Sequence, residues 1–166
     1  MNFNLNFNVC FCRNSKCEPT ATEFNPIDKK LLAVSNTQII QIYSIEANSN
    51  SSYGNSFFDS TNSIDKITSS PSSFTCSSND CLYSACRGHT RIVTDLNWSP
   101  FNSDILVSSS YDNMIYIWDL RDPRRPITSM TSVAGSTQVK WSKISEHTLA
   151  SCHDGDIRIW DSRVCI

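Results

Sequence analysis

The chain has little of what sequence-level assignments of catalysis or transport rest on. Four glycines are spread over 166 residues, and none forms the run that cradles a phosphate. Cys10, Cys12 and Cys17 read C-x-C-x4-C, and Cys76, Cys81 and Cys86 read C-x4-C-x4-C. Neither offers the C-x2-C knuckle or the nearby His pair of a zinc site, so no metal and no cofactor is expected. Lys plus Arg number 14 against 16 Asp plus Glu, a formal net charge of -2, which denies the chain the basic field of a general DNA or RNA binder. No apolar run approaches the roughly 18 residues of a membrane helix. The start lacks the basic region and continuous apolar stretch of a secretory signal. Eight cysteines without such a signal fit a reducing compartment and free thiols.

What the chain does have is strand patterning. Phe3, Leu5, Phe7, Val9 and Phe11 alternate with polar residues and Cys10, a period of two that predicts a strand with one apolar face. From Asn48 to Ser84 the composition changes: 13 residues are Ser and 5 are Asn. So little apolar surface cannot offset chain ordering, and residues 48–84 read as a disordered insertion. Ser70-Pro71 within it is a candidate phosphorylation site.

The organising feature is a repeat. VTDLNWSPFNSDILVSSSYDNMIYIWDL (93–120) and QVKWSKISEHTLASCHDGDIRIWD (138–161) each read as a strand ending in Trp, a polar turn, an apolar strand, an Asp-centred turn, and an alternating strand ending in Trp-Asp. Trp118 and Trp160 lie 42 residues apart, a period that suits one four-stranded propeller blade. A weaker copy, Ala21 to Ile45, has Phe24-Asn25-Pro26 near the Trp98-Ser99-Pro100 position, Thr37 at the position of Asp112, and Tyr43 at the position of Trp118. The third strands are predicted at 39–43, 115–118 and 157–160.

Gly88-His89, Asp112 and Trp118-Asp119 resemble the signature of the WD-repeat (WD40-type) family, whose members are β-propellers. The resemblance implies an all-β fold, here a partial propeller of two clear blades and one weak one with an unclosed ring. Its divisions are an unmatched segment 1–17, a weak blade 18–47, the insertion 48–84, a blade 85–130, and a blade 131–166 truncated at its end. It also implies a buried hydrogen-bonded tetrad of His89, Ser108, Asp112 and Trp118. The last copy is read as keeping only Asp154 and Trp160, with Ala150 at the Ser108 position and no Gly-His before it. In WD-type propellers the loop before the first strand and the turn between second and third strands open on one face, so Arg91, Tyr111 and His153 are the candidate partner-binding face.

GHTRIVTDLNW with LVSSSYDNMIYIWDLRD, and VAGSTQVKW followed by LASCHDGDIRIWD, are similar to the N-terminal propeller of the WD-repeat subunit fifty-nine family of the GATOR (yeast SEA) complex. That resemblance implies a fragment of a scaffold subunit whose partners are other protein subunits. It implies no small-molecule substrate, no nucleic acid and no direct membrane insertion. The complex works in the cytoplasm, peripherally at the lysosomal or vacuolar membrane, passing amino-acid sufficiency to the target-of-rapamycin kinase. The alternatives are a WD-repeat scaffold of another complex, or a nucleic-acid-binding propeller acting through Arg121, Arg124 and Arg125. An enzyme is not expected, because no candidate nucleophile sits beside a base in an accessible pattern.

Overall fold

A computed structural model describes residues 19–44 and 82–164. Every element among them is a strand, and every strand pairing is antiparallel. The first sheet runs β1 (Pro19–Phe24), β2 (Leu31–Asn36), β3 (Ile39–Ser44) and β4 (Leu82–Arg87) in spatial order. The second runs β5 (Val93–Trp98), β6 (Ile105–Ser110), β7 (Met114–Asp119) and β8 (Thr128–Thr131). The third has β9 (Ser136–Trp141), β10 (Thr148–His153) and β11 (Ile157–Asp161). The three predicted third strands are β3, β7 and β11.

One boundary moves. Residues 82–84, assigned by composition to the insertion, and residues 85–87, assigned to the next blade, together form β4, the outer strand of the first sheet. The reason is visible in Cys86, which is buried opposite Ile40: the strand carries a core residue that its Ser-rich approach conceals. The remainder of the expected insertion, and the alternating segment near the N-terminus, lie outside the described residues.

The sheets stack side by side with β1 beside β5 and β5 beside β9. Between the first and second lie Ala33, Ile40 and Ile42 against Leu96, Trp98, Leu106 and Trp118; between the second and third lie Val107, Ile115, Ile117 and Met130 against Val139, Trp141 and Leu149. The middle sheet is therefore covered on both faces, which is why β6 reads as a nearly continuous buried strand rather than an alternating one. The third sheet is covered on one face. Register with Trp118 and Trp160 places Ile157 and Ile159 at the positions of Ile115 and Ile117, yet they are 75% and 69% exposed. The array is open, and burying both side chains would be worth about 1.5 to 3 kcal/mol each.

Side chains stitch one inner strand to the next. Thr20, Thr94 and Thr137 each sit at a β-bulge near the start of their inner strand, a device that re-aims a side chain. The hydroxyl of Thr20 donates to the Val93 carbonyl, and that of Thr94 to the Ser136 carbonyl, both at 2.6 Å. At the other end of the strands, Glu23 accepts the Trp98 backbone N–H at 2.7 Å and Asn97 Oδ1 accepts that of Trp141 at 2.6 Å.

Candidate functional site

In the middle sheet, β6 and β7 and the loop before β5 bring His89, Ser108, Asp112 and Trp118 into one chain of contacts. Trp118 Nε1 donates to Ser108 Oγ at 2.8 Å, Ser108 Oγ lies 2.7 Å from His89 Nε2, and His89 Nδ1 lies 2.9 Å from Asp112 Oδ2. Only one proton arrangement pairs every group: indole to Ser108, Ser108 to His89 Nε2, and His89 Nδ1–H to the carboxylate. It requires a neutral imidazole. The electrostatics agree, since burial lowers the His89 pKa below its ordinary 6.5 in spite of the pull of Asp112. Burial works against the Asp112 carboxylate too, but N–H groups of Thr90 and Met114 together with His89 hold it below its ordinary value. His89 also stacks on Tyr116, ring centroids 4.4 Å apart.

Gly88 is fixed by the same cluster. A Cβ there would meet the Trp118 ring at 2.9 Å, so the indole can reach Ser108 only because residue 88 has no side chain.

Ser108, His89 and Asp112 have the connectivity of a hydrolytic Ser-His-Asp triad, yet the chemistry is closed off. Ser108 has no exposed surface, and its oxygen accepts the Trp118 indole proton. A catalytic hydroxyl needs access to substrate and donors aimed at a developing oxyanion; this one is a link in a buried network that holds the loop at residues 88–92 to the turn at 111–113.

The third sheet departs from the sequence reading. Leu149 pairs with Trp160 as Leu106 pairs with Trp118, so Ser151, not Ala150, occupies the Ser108 position. Trp160 Nε1 donates to Ser151 Oγ at 2.7 Å, and Ser151 Oγ lies 2.7 Å from His153 Nε2. The other ring nitrogen, Nδ1, lies 3.0 Å from the Ala134 carbonyl and 3.1 Å from Ser132 Oγ. The histidine thus comes from the end of β10 instead of the preceding loop, and a backbone carbonyl replaces the carboxylate. The cause is a shorter turn. His153 and Asp156 close a hairpin whose Gly155 has φ of 82°, which leaves no seat for an inward-pointing Asp.

Two expectations are corrected by this arrangement. Asp154 is exposed and takes no part in the network. His153 is buried, 7% exposed, so it cannot join Arg91 and Tyr111 on an open face. Sequence reasoning missed Ser151 and Ser132; the available signal was the Ser-x-His spacing of Ser151 and His153, which puts both side chains on one side of a strand. The first sheet has Val34 at the serine position by the same register, a side chain that can neither donate nor accept a hydrogen bond.

Arg91 and Tyr111 do come together. Arg91 Nη1 donates to the Tyr111 carbonyl at 3.2 Å, both residues are exposed, and Tyr111 lies over Gly135 of the next sheet. A Cβ at Gly135 would sit 3.0 Å from the tyrosine ring. The pair is thus a fixed, accessible Arg-Tyr unit at the seam of two sheets, of the composition frequent in binding hot spots. Among the described residues no group of three or more His, Cys, Asp or Glu side chains could hold a metal ion.

Comparison with known proteins agrees with this architecture. Residues 79–119 and 125–161 match the family model "WD domain, G-beta repeat"; each matched repeat takes in the outer strand of one sheet and the first three strands of the next. A 77-residue stretch, 46% of this chain, is 56% identical to the GATOR2 complex protein WDR59 of Gallus gallus and covers 8% of that protein. An 88-residue stretch, 52% of this chain, is 39% identical to maintenance of telomere capping protein 5 of Saccharomyces cerevisiae, again covering 8% of it. The matched region is therefore a small part of these relatives. The β-propeller domain of Cps50 (Swd1) from Myceliophteria thermophila superposes with a TM-score of 0.63 over 89% of this chain and 37% of its own, at 17% identity, a likeness of fold.

Proposed function

From a chain that carries two WD40 repeats on propeller-type sheets, we propose a non-catalytic protein-interaction scaffold, a subunit of a GATOR/SEA-type complex. The observation that carries the reading is the buried network itself. Its Ser and His side chains, which in another setting would do chemistry, are consumed in fixing loops, and what the loops present to solvent is Arg91 and Tyr111. A rigid sheet array with varied loops is a surface for recognition. The identity to GATOR2 complex protein WDR59 supports membership of that kind of complex. On this reading the chain contributes to target-of-rapamycin signalling in response to amino acids, from the cytoplasm and at the lysosomal or vacuolar surface through its complex. On the same reading it takes no nucleic acid and does not itself insert into the membrane.

The test is co-purification from cells. Tagged wild-type chain is expected to bring down GATOR-type subunits in constant proportion, and Arg91→Ala with Tyr111→Ala to lose them without loss of the chain itself. Absence of those subunits from the wild-type eluate sinks the reading.

A further inference from the structure

The two ends of the sheet array carry opposite halves of the same seam. Register identifies the half that a sheet turns toward the one before it: Trp98, Leu106 and Trp118 in the second sheet, Trp141, Leu149 and Trp160 in the third. The first sheet has Phe24, Leu32 and Tyr43 at these positions. No other described sheet packs on that face, and Phe24 is 59% exposed. The half turned toward the following sheet is Ile40 with Ile42 in the first sheet and Ile115 with Ile117 in the second. In the third it is the bare pair Ile157 and Ile159. The last sheet therefore ends in the surface that receives the following sheet at both internal seams, and the first sheet begins with the kind of surface that is received there. What fits either end is a sheet built like these, and the chain itself supplies one.

Polar groups repeat the pattern. Thr20 and Thr94 donate across the seams to the Val93 and Ser136 carbonyls. Thr137, third in that series, is exposed and turns its hydroxyl back to the Cys152 carbonyl of its own sheet at 3.3 Å. The carbonyl in register with those of Val93 and Ser136 belongs to Pro19, at the far end of the array. Glu23 meets Asn97 across the first seam at 2.6 Å, and the third residue at that register is Lys140, so a third sheet against a first sheet would set a cation beside a carboxylate. We propose that a second copy of the chain docks on these surfaces, the first sheet of each copy against the third sheet of the other. Contacts of this head-to-tail kind close into a ring or run on as a filament according to the rotation between copies. Propeller rings hold about four to eight blades, so three sheets are too few and two copies supply six. The proposal does not draw on the scaffold reading.

The experiment measures the mass of the whole chain by sedimentation and light scattering under reducing conditions. Wild type is expected at twice the 18.7 kDa of one chain. Ile157→Asp with Ile159→Asp, and separately Phe24→Asp, should each raise the dissociation constant at least about tenfold. Mixed in equal amounts, these two variants should dimerise where neither does alone, because the intact first sheet of one meets the intact third sheet of the other. Lys140→Glu should weaken association severalfold, and Arg91→Ala with Tyr111→Ala should leave it within about twofold. All these side chains are exposed, and circular dichroism checks each fold; Phe24→Ser replaces Phe24→Asp if the latter unfolds. A wild type that stays monomeric overturns the proposal, as does a dimer retained by either variant alone, a mixture that fails to recover one, or a mass that grows without limit. A monomer whose β11 amides resist hydrogen exchange until residues 2–17 are deleted also overturns it, and gives the face to that segment instead.

Discussion

The Glu23 carboxylate accepts the backbone N–H of Trp98 at 2.7 Å across the seam between the first two sheets, and its other oxygen accepts Asn97 Nδ2 at 2.6 Å. One step along, Asn97 in turn accepts the Trp141 N–H. Each inner strand thus hands its edge N–H groups to a side chain of the strand before it, so that backbone groups with no strand partner on that side are satisfied. Glu23→Gln puts an amide donor where one of two acceptors is needed, and Asn97→Ala leaves the Trp141 N–H without its partner. Each should cost about 1 to 3 kcal/mol in urea unfolding. Equal midpoints for Asn97→Ala and wild type would show that the seams do not depend on these contacts.

The His89 network makes stability depend on pH in a definite direction. His89 has a folded pKa below its ordinary 6.5, so below that value the unfolded chain binds a proton that the folded chain refuses, and stability falls as pH falls. The depressed Asp112 pKa acts in the same sense at lower pH: its contribution is present above the ordinary carboxylate value and is lost as pH falls toward the folded one. His89→Gln should flatten the profile just below pH 6.5. A profile that rises on acidification through this range would mean that His89 is charged in the folded state.

The register of the third sheet is testable by two neighbouring substitutions. Ser151→Ala removes the acceptor of the Trp160 indole and the partner of His153, and should cost about 1 to 3 kcal/mol. Ala150→Ser, one position earlier and off the network, should change stability by no more than about 0.5 kcal/mol. The opposite ranking would return the serine position to residue 150.

Several of these features were readable in the chain and others were not, for physical reasons. The third strands were legible because Ile-x-Ile-Trp-Asp alternates over a blade-length period, and His89, Ser108, Asp112 and Trp118 because Gly-His, Asp and Trp-Asp keep fixed positions along the repeat. The third sheet misled because its turn is one residue shorter than that of the second. The 42-residue offset of Trp160 from Trp118 also matches Asp154 to Asp112, and carrying it unbroken back through that turn shifts β10 by one, which turns Ser151 outward on paper and His153 with it. The Thr20, Thr94 and Thr137 bulges could not be seen either, since a threonine near a strand start carries no mark of the strand it will reach across to. β4 was concealed by the Ser-rich composition that precedes it, and only its pairing with β3 shows Cys86 to be a core residue, its thiol pKa pushed up to about 12 by burial.

Gly135 offers a way to separate packing from recognition. A side chain there would press on the Tyr111 ring and backbone, so Gly135→Val should displace the Arg91–Tyr111 unit and weaken partner binding together with stability. Tyr111→Phe keeps the contact with Gly135 and should leave the urea midpoint within about 0.5 kcal/mol. A Gly135→Val variant that binds and unfolds as wild type does would show that the seam tolerates a gap the structure does not have.

The central claim, that the buried networks exist to hold a binding surface and not to perform a reaction, is tested most directly by titrating the chain into a purified GATOR2-type complex by calorimetry. The account predicts saturable binding for wild type, a loss of about tenfold or more for Arg91→Ala with Tyr111→Ala at an unchanged urea midpoint, and a loss for Asp112→Ala only in proportion to the fraction unfolded. No heat of binding with wild type, or full affinity in the Arg91/Tyr111 variant, would contradict it.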